Sequence, residues 1–343
     1  MLSKLKKFFI GLILAALALS SCTRAVPTEN SSLDKSATKE KKSWFGAGLF
    51  KPKTTPTPPG DYVMTIDVEG ETIEAAVTRS YTLHVPVSYT GDDPVPLFIA
   101  IPDSGMTGKK FEKAAALTQY TDGGVGSILV LPDAYGEKLA WNNGIQTGSG
   151  ANDILFIQTL ITRLQEIHNI DPHRIYLIGF GQGGILAYQA AATMANEVAG
   201  VGVVGASVGY RAEKGADPTM IQPNIAPVSV IMIHGMRDEV IPFSLGKNAK
   251  KNDAGYQTFD QSEAYWVKAL GCEGSPKVKI TRNEHIIRHA WEGCNGGSSL
   301  QSISINTGTH TWFQSVKATE SKKPSISASE AIFSFLMANP KPE

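Results

Sequence analysis

The sequence lacks a net charge, a long apolar run and a metal-binding motif, and each shortage excludes a class of protein. Lysine plus arginine and aspartate plus glutamate each number 32, so the formal net charge is +0. With no basic stripe and no interleaved aromatics, we expect no nucleic-acid partner. The apolar stretch Phe8–Leu19 is too short for a mature transmembrane helix. His285 and His289 lack the intervening glutamate of a zinc-protease helix, so no metal or other cofactor is expected.

The N-terminus has the pattern of a bacterial export signal. A lysine-rich start precedes the apolar stretch, and small residues then lead into Cys22. The segment Leu19–Cys22 resembles the lipobox of bacterial lipoproteins, in which the cysteine is diacylated and becomes the first mature residue. We therefore interpret residues 1–21 as a signal peptide and Cys22 as a lipid anchor. The alternative is an ordinary signal peptide with Cys22 removed or inert. Thr23 is not the aspartate of an inner-membrane retention signal, which favours the outer membrane.

The residues after Cys22 separate the predicted lipid from the folded part of the chain. Residues 22–60 are polar and rich in proline, so they cannot bury enough apolar surface to offset their chain entropy. We expect a disordered linker there. Export implies an oxidising compartment, in which Cys272 and Cys294 are the remaining intramolecular pair. A disulfide between them is favoured over two free thiols.

From residue 61 onward, hydrophobic residues are arranged as in an α/β protein. Two segments, Tyr62–Val68 and Arg79–Val85, alternate like an antiparallel pair at a sheet edge. Short continuous apolar runs then indicate strands buried on both faces. Helices separate these runs, which predicts one α/β domain over 61–343 with a doubly wound, mostly parallel sheet. The later strands are predicted at Pro96–Ile101, Ser127–Leu131, Arg174–Ile178, Val198–Val204, Val228–Ile233, Lys277–Arg282 and Leu300–Ile305.

Capping residues and apolar spacing predict the helices. Asn152 has the side chain of an N-cap, and apolar residues after it fall on one helical face. Ser327 and Glu330 have capping-box spacing before a terminal helix. Further helices are predicted over Phe111–Gln119, after the Gly179–Gly184 segment through about Met194, and near Ser262–Leu270.

Three segments that follow predicted strands contain the residues with the chemistry of a catalytic site. In a doubly wound sheet such residues lie at the carboxyl ends of the strands. The segments are Ile178–Gly184, His234–Pro242 with Asp238, and Thr307–Phe313 with His310. Their chain order, with a nucleophile turn, an acid and a histidine, resembles that of α/β-hydrolases.

Together these motifs resemble those of the polyhydroxybutyrate depolymerase and feruloyl esterase group of secreted esterases. The similarity runs from about residue 80 to the C-terminus. It implies an α/β-hydrolase fold in which His310 is the general base and Asp238 orients its imidazole. The other residues that carry the resemblance are Pro132–Asp133, Trp141–Asn142, and Cys272 and Cys294 around Trp291.

The sequence departs from this group at the nucleophile. Members carry Gly-x-Ser-x-Gly-Gly at the turn, whereas this chain has Gly181 at the third position. A base with no hydroxyl to deprotonate cannot start acyl-enzyme chemistry. Glycine adopts positive φ without the Cβ penalty, so it relaxes a turn that normally strains its serine.

A second departure lies in the loop after the third strand. The group has His-Gly there, beside an amide of the oxyanion hole, whereas this chain reads Pro102-Asp103-Ser104. We expect the backbone amide of Gln182 to remain available as an oxyanion donor. A carboxylate at Asp103, if it faces the site, would repel a developing oxyanion.

Two other functions are alternatives to that of a catalytically impaired protein. One is an active carboxylic ester hydrolase that uses Ser104 or Ser207 as a displaced nucleophile, or a water activated by His310. The other is a dinucleotide-binding module, because Gly179–Gly184 satisfies Gly-x-Gly-x-x-Gly. That motif lies in mid-domain, and the strand ending at Gly205 has no acidic residue after it to hold a ribose, so the module is disfavoured.

We therefore expect an envelope-anchored, esterase-like protein that is catalytically impaired and acts in binding or as a scaffold. Its former cleft would take an ester, glycan or lipid ligand, or its surface would take a protein partner of unknown identity. His310 and Asp238 are expected to keep their hydrogen bond, although ordinary loop residues are the alternative. Trp141 and Trp312 either line the cleft or pack in the core.

Overall fold

A computed structural model describes residues 56–69, 76–124, 126–146, 148–222, 226–245, 254–281, 286–314 and 326–342. These ranges belong to one unit, Lys53–Glu343. The predicted signal peptide, Cys22, most of the predicted linker and His285 lie outside the described residues. Within the described ranges, no helix combines the length and the apolar character that a membrane span requires.

Thirteen strands in the described residues form one large sheet and one small one. The large sheet has the order β1-β2-β4-β3-β5-β6-β9-β13-β12-β11, and the small one has the order β10-β7-β8. In chain order the strands are β1 (Gly60–Val68), β2 (Val77–Val85), β3 (Val95–Ile101), β4 (Ile128–Pro132), β5 (Ile170–Phe180), β6 (Gly200–Val204), β7 (Gly209–Arg211), β8 (Thr219–Met220), β9 (Ser229–Gly235), β10 (Gly255–Tyr256), β11 (Lys277–Thr281), β12 (Ile286–Trp291) and β13 (Leu300–Ile305).

The centre of the large sheet is parallel, and its two edges are antiparallel. Strands β4, β3, β5, β6, β9 and β13 run in one direction. The pair β1 and β2 closes one edge, and β12 and β11 close the other. Every residue of β3 and of β9 is buried, as expected for strands covered on both faces. The predicted α/β fold with a mostly parallel sheet is confirmed.

Six α-helices in the described residues cover the two faces of this sheet. Alternate side chains of β3 enter two different cores, with Leu97 and Ile99 in one and Phe98 and Ala100 in the other. The first core includes residues of α3, α4 and α5, and the second includes residues of α1 and α6. The helices are α1 (Gly108–Ala115), α2 (Thr118–Thr121), α3 (Asp153–Ile167), α4 (Gly181–Thr193), α5 (Phe259–Ala269) and α6 (Ala328–Met337).

The two predicted N-caps are present. Asn152 Oδ1 accepts a hydrogen bond from the Leu155 amide at 3.1 Å, and Ser327 Oγ accepts one from the Glu330 amide at 3.1 Å. Each bond satisfies an amide that the first helical turn leaves without a partner.

Some predicted elements were wrong or missing. The helix predicted over Phe111–Gln119 is broken, because Ala116 adopts the left-handed conformation with φ of 50° and ends α1. The Glu112 carboxylate then accepts the amides of Leu117 and Thr118, which separates α1 from α2. The sequence prediction also missed β12 and the whole small sheet, whose strands are only two or three residues long.

The predicted disulfide between Cys272 and Cys294 is present. It joins the segment after α5 to the turn that precedes β13, and Cys294 is buried. The bridge therefore holds α5 close to the antiparallel edge of the sheet.

Candidate functional site

The carboxyl ends of five parallel strands bring the candidate residues to one place. Asp103 follows β3, Gly181 follows β5, Gly205 follows β6, Asp238 follows β9 and His310 follows β13. Because these strands run in the same direction, all five positions lie along the same edge of the sheet. The three segments selected from the sequence therefore converge.

Asp238 and His310 form a buried hydrogen-bonded pair. His310 Nδ1 lies 2.7 Å from Asp238 Oδ2, and the Asp238 side chain is 0% exposed. The second carboxylate oxygen, Oδ1, accepts the backbone amides of Val240 and Ile241 at 2.9 Å each. Both oxygens thus have partners, which a buried carboxylate requires.

His234 is a further partner of Asp238 that sequence reasoning did not assign. Its Nε2 lies 2.8 Å from the carbonyl oxygen of Ile241 and 3.3 Å from Asp238 Oδ2. Burial alone would raise the pKa of Asp238, but hydrogen bonds from His234 and His310 hold it well below the ordinary value. Asp238 is consequently a carboxylate at neutral pH.

The other side of the His310 ring faces Asp103. His310 Nε2 lies 3.2 Å from Asp103 Oδ2, so the imidazole stands between two carboxylates. A carboxylate only accepts hydrogen bonds, so both ring nitrogens of His310 must donate. Burial alone would lower the pKa of His310, but its bonds to Asp103 and Asp238 raise it to about 9. His310 is therefore an imidazolium at neutral pH.

Asp103 also accepts a hydrogen bond from the backbone amide of Gln182, which was expected to serve as an oxyanion donor. The Gln182 backbone N–H donates to Asp103 Oδ1 at 2.8 Å, and the Ser104 N–H donates to the same oxygen at 2.9 Å. The expectation that the Gln182 amide remains available was wrong. The physical reason is that α4 has no side-chain cap of its own at Phe180, and its positive N-terminal end attracts the nearby anion.

Gly181 leaves the space that the Asp103 carboxylate fills. Its φ is +55°, in the left-handed region that glycine adopts without strain. A Cβ at this position would lie 2.3 Å from Asp103 Oδ1 and 2.4 Å from its Cγ. Gly183 is needed for a different close approach, because a Cβ there would lie 2.1 Å from the carbonyl oxygen of Pro102. Gly181 and Gly183 therefore allow the start of α4 to pack closely against the loop that follows β3.

Buried polar contacts hold the loop that carries Asp103. Trp141 Nε1 donates to the carbonyl oxygen of Pro102 at 2.8 Å. The adjoining Asn142 amide donates to Asp153 Oδ2 at 2.6 Å. Asp153 forms a 2.7 Å ion pair with Arg79, and both side chains are at most 2% exposed. This chain of contacts runs from β2 to the residue next to Asp103.

Of the two alternatives for Trp141 and Trp312, lining a cleft or packing in the core, the structure shows packing. Trp141 is 1% exposed, and its indole N–H is used by Pro102. Trp312 is 8% exposed, donates to Ser329 Oγ at 2.9 Å and packs edge-on against Phe111. Both residues pack in the interior.

A second polar cluster beside Asp103 was not found from the sequence. The Gln182 side chain accepts from Asn143 Nδ2 at 2.6 Å and donates to the Tyr256 hydroxyl at 2.5 Å. That hydroxyl in turn donates to Gln146 Oε1 at 2.7 Å. The position of Gln182 next to Gly181 was the available signal, but its two side-chain partners, Asn143 and Tyr256, come from segments distant in sequence. The cluster fixes the first turn of α4 against the loop that carries Asn143 and against β10.

The remaining candidates lie in other surroundings. Ser207 is buried, and its Oγ donates toward the carbonyl oxygens of Gly209 and Gln257 at 3.0 and 2.9 Å. Ser104 is exposed and contacts Asp103 through its backbone amide.

His289 Nδ1 pairs with Glu263 Oε1 at 2.9 Å on the antiparallel edge. Asp133 accepts the Gly108 amide at 2.8 Å, which fixes the start of α1. Among the described residues, no three metal-ligating side chains are grouped to hold an ion.

Comparison with known proteins finds similarity to esterases. A family model described as Phospholipase/Carboxylesterase matches residues 143–264. Feruloyl esterase B of Piromyces equi is 26% identical over 68% of this chain, which spans only 42% of that relative's length. Feruloyl esterase D of Neurospora crassa is 22% identical over 74% of this chain and 79% of its own. Acetyl xylan esterase from Aspergillus awamori has a similar structure, with a TM-score of 0.54 and 13% identity over 80% of this chain and 99% of that one.

The class of protein follows from the fold and these matches together. The described domain has the α/β-hydrolase fold. The family match and the relatives support an esterase-like α/β-hydrolase domain.

Proposed function

We propose that this chain is a lipid-anchored envelope protein whose esterase-like domain binds a ligand or partner instead of hydrolysing an ester. The observation that carries the proposal is the position of the Asp103 carboxylate. It accepts the Gln182 amide at 2.8 Å, lies 3.2 Å from His310 Nε2, and fills the space beside Gly181. The Asp103 side chain thereby fills the space of a nucleophile, and it accepts hydrogen bonds from both the oxyanion donor and the general base.

Gly181 corresponds to the position of the nucleophilic serine in this proposal. The support is its place at the start of α4 directly after β5, its positive φ and its contact with the Asp103 carboxylate, which also contacts His310. Serine would supply the hydroxyl that a base deprotonates, and glycine has none. An ester carbonyl would also find no free amide at Gln182 to stabilise its oxyanion.

The charge state of His310 supports the same conclusion. A general base must be neutral before it accepts a proton, and the best catalytic pKa lies near the working pH. Two carboxylates raise the pKa of His310 to about 9, so the ring already carries its proton at neutral pH. His310 in this setting stabilises a fixed anion.

Anchoring is proposed from the sequence alone, through a diacyl lipid on Cys22 at the outer membrane. Feeding cells an alkyne fatty acid tests it, because the full chain should then become labelled and a Cys22→Ala variant should not. Equal labelling of both proteins contradicts the anchor.

Loss of hydrolysis is tested on the purified chain. We expect no labelling by a fluorophosphonate and no turnover of short acyl esters across neutral pH. An active relative of the feruloyl esterase group serves as the positive control. Turnover that disappears in a His310→Ala variant would sink the proposal.

The second candidate is an active esterase of the polyhydroxybutyrate depolymerase or feruloyl esterase type with a displaced nucleophile. The observation in its favour is that Asp103 Oδ2 lies as close to His310 as a nucleophile would. Under this candidate, turnover would be lost in Asp103→Asn, which keeps the size of the side chain but removes its charge. Turnover that survives Asp103→Asn and needs His310 would instead indicate a water activated by the imidazole.

A further inference from the structure

The site at the carboxyl ends of the parallel strands contains hydrogen-bond donors that bind the carboxylate of Asp103. Asp103 is bound there through one backbone amide of a helix, one imidazole N–H and the amide of its neighbour Ser104. The first two donors belong to segments far from Asp103 in sequence, so they do not depend on the Asp103 side chain for their position. Gln182 is fixed by its polar cluster, and His310 is fixed by Asp238.

We propose that Gln182 and His310 form a receptor for a free monocarboxylate, and that Asp103 occupies this receptor from within the chain. The inference rests on the proposed function, and it names the ligand class of the same site. Both donors give charge-assisted hydrogen bonds to an anion, which are stronger than bonds between neutral groups. The missing Cβ at Gly181 provides the room for the carboxylate.

The surroundings of the His310 ring favour an anion as its partner. The His310 side chain is 10% exposed and that of Asp103 is 20% exposed, so the pair is largely shielded from water. Without an anion, the Nε2–H of His310 would lose its partner in a partly desolvated position, which costs free energy. A carboxylate that enters restores the same charges and the same bonds that Asp103 supplies.

Asp103 is tethered, so it competes with an external ligand as an intramolecular group. A short tether corresponds to an effective concentration of roughly millimolar or more, which an external carboxylate must exceed. The wild-type chain is therefore expected to bind a free carboxylate weakly, and a substitution that empties the space of the Asp103 carboxylate should strengthen that binding by about tenfold or more.

The experiment titrates acetate into isotopically labelled protein at constant ionic strength and follows the Gln182 amide and the His310 ring by NMR. Asp103→Ala opens the receptor, and Asp103→Asn is its matched control because the amide side chain still fills the space. We expect saturable shifts in the alanine variant, with an affinity at least about tenfold above that of wild type and of the asparagine variant. Acetamide, which has the shape of acetate without the charge, should bind measurably more weakly.

Two further arms keep the result decisive. If Asp103→Ala fails to fold, Asp103→Gly replaces it, and the wild-type titration needs no substitution because displacement must shift the side-chain carboxyl resonance of Asp103. Equal acetate affinity in the alanine and asparagine variants overturns the inference, as does binding that survives an added His310→Ala. Ester turnover by wild-type protein overturns the proposed function but leaves the acetate result intact, so the two failures are distinguishable.

Discussion

The two sides of the His310 imidazole differ in how their carboxylates are held. On the Nδ1 side, Asp238 is 0% exposed and is fixed by two backbone amides and His234. On the Nε2 side, Asp103 is 20% exposed and comes from a loop after another strand. The first arm is the acid–base arm expected of an α/β-hydrolase. The second arm places an anion where such an enzyme has its nucleophile and substrate.

Under the proposed function, this difference identifies the part of the site that would have to change for ester hydrolysis. The acid–base arm has a hydrogen-bonded acid and histidine. In the other arm the proposal assigns a missing hydroxyl to Gly181 and a blocked space to the Asp103 carboxylate. The proposal therefore predicts that hydrolysis requires two changes in this arm and none in the acid–base arm.

The largest expected effect is on reaction with a fluorophosphonate. Gly181→Ser alone supplies a hydroxyl, but its Cβ would meet the Asp103 carboxylate at 2.3 Å, and the Gln182 amide remains engaged. The double variant Gly181→Ser, Asp103→Ala removes both obstacles. We expect it to label about a hundredfold faster than the single variant, the range associated with one oxyanion donor.

Added His310→Ala is the control for this repair, because the serine then has no base. Labelling of the single variant at the rate of the double variant would show that Asp103 moves aside easily. No labelling of either variant would show that the acid–base arm is not aligned for catalysis, which breaks the comparison between the two arms.

The two carboxylates should also differ in their contribution to folding. Asp238→Ala leaves the Val240 and Ile241 amides and the His310 ring without their partner, and we expect a loss of about 3–5 kcal/mol in the free energy of unfolding. Asp103→Ala removes a partly exposed anion from the start of α4, and a loss of about 1 kcal/mol is typical of a missing helix cap. Urea unfolding of both variants at neutral pH measures the difference. Equal losses would contradict the distinction.

Asp103 should raise the pKa of His310 without being essential to the fold. In wild type this pKa is about 9, above the ordinary 6.5, so protonation stabilises the folded state fully below about pH 6.5. That contribution is lost as the pH rises through about 9. In Asp103→Asn we expect the pKa of His310 to fall by about one unit or more, so the stabilisation from its protonation is lost at a lower pH than in wild type. NMR titration of the His310 ring checks the pKa, and an unchanged value would assign the whole shift to Asp238.

The smallest predicted effect concerns the support of the Asp103 loop. Trp141→Phe keeps the buried ring but removes the N–H that donates to Pro102. We expect a loss of about 1 kcal/mol in the free energy of unfolding, as for one hydrogen bond. The Gln182 amide resonance should shift because the loop that carries Asp103 loosens, whereas the Ile241 amide on the acid–base arm should keep its position. Equal shifts at both amides would mean that the substitution disturbs the whole site.

The sequence predicted the parallel core of the fold and the antiparallel edge pair β1 and β2 well, whereas it missed β12 and the short strands of the small sheet. A run such as Pro96–Ile101 is apolar because both faces of its strand are covered, and that pattern is local. The strand β12 was missed because its middle residues are only half-buried, and α1 was extended too far because the left-handed turn at Ala116 has no glycine to mark it. The two-residue strands β8 and β10 are too short to have a period.

The site was predictable to the extent that strand ends and family spacing place residues. Asp238, His310, Gly181 and Asp103 were all selected from the sequence, and they lie together. Their roles in catalysis or binding remain predictions. The state of the Gln182 amide was predicted wrongly, because a backbone donor carries no sequence signal of its partner. Asn143 and Tyr256 were missed since their contacts with Gln182 join segments far apart in the chain. His234 was missed although its partner Asp238 is only four residues away, because the direction of its ring depends on the folded turn.

The sequence by itself determined that this chain has an α/β fold, that glycine stands at the turn after β5, and that an aspartate follows β3. These features depend on local periodicity and on residue identity. Only the tertiary structure decided that the Asp103 carboxylate lies on the Gln182 amide and against His310. The reason is geometric: side chains from three strand ends share one space, and which of them fills it depends on distances of a few ångströms that no spacing in the sequence encodes.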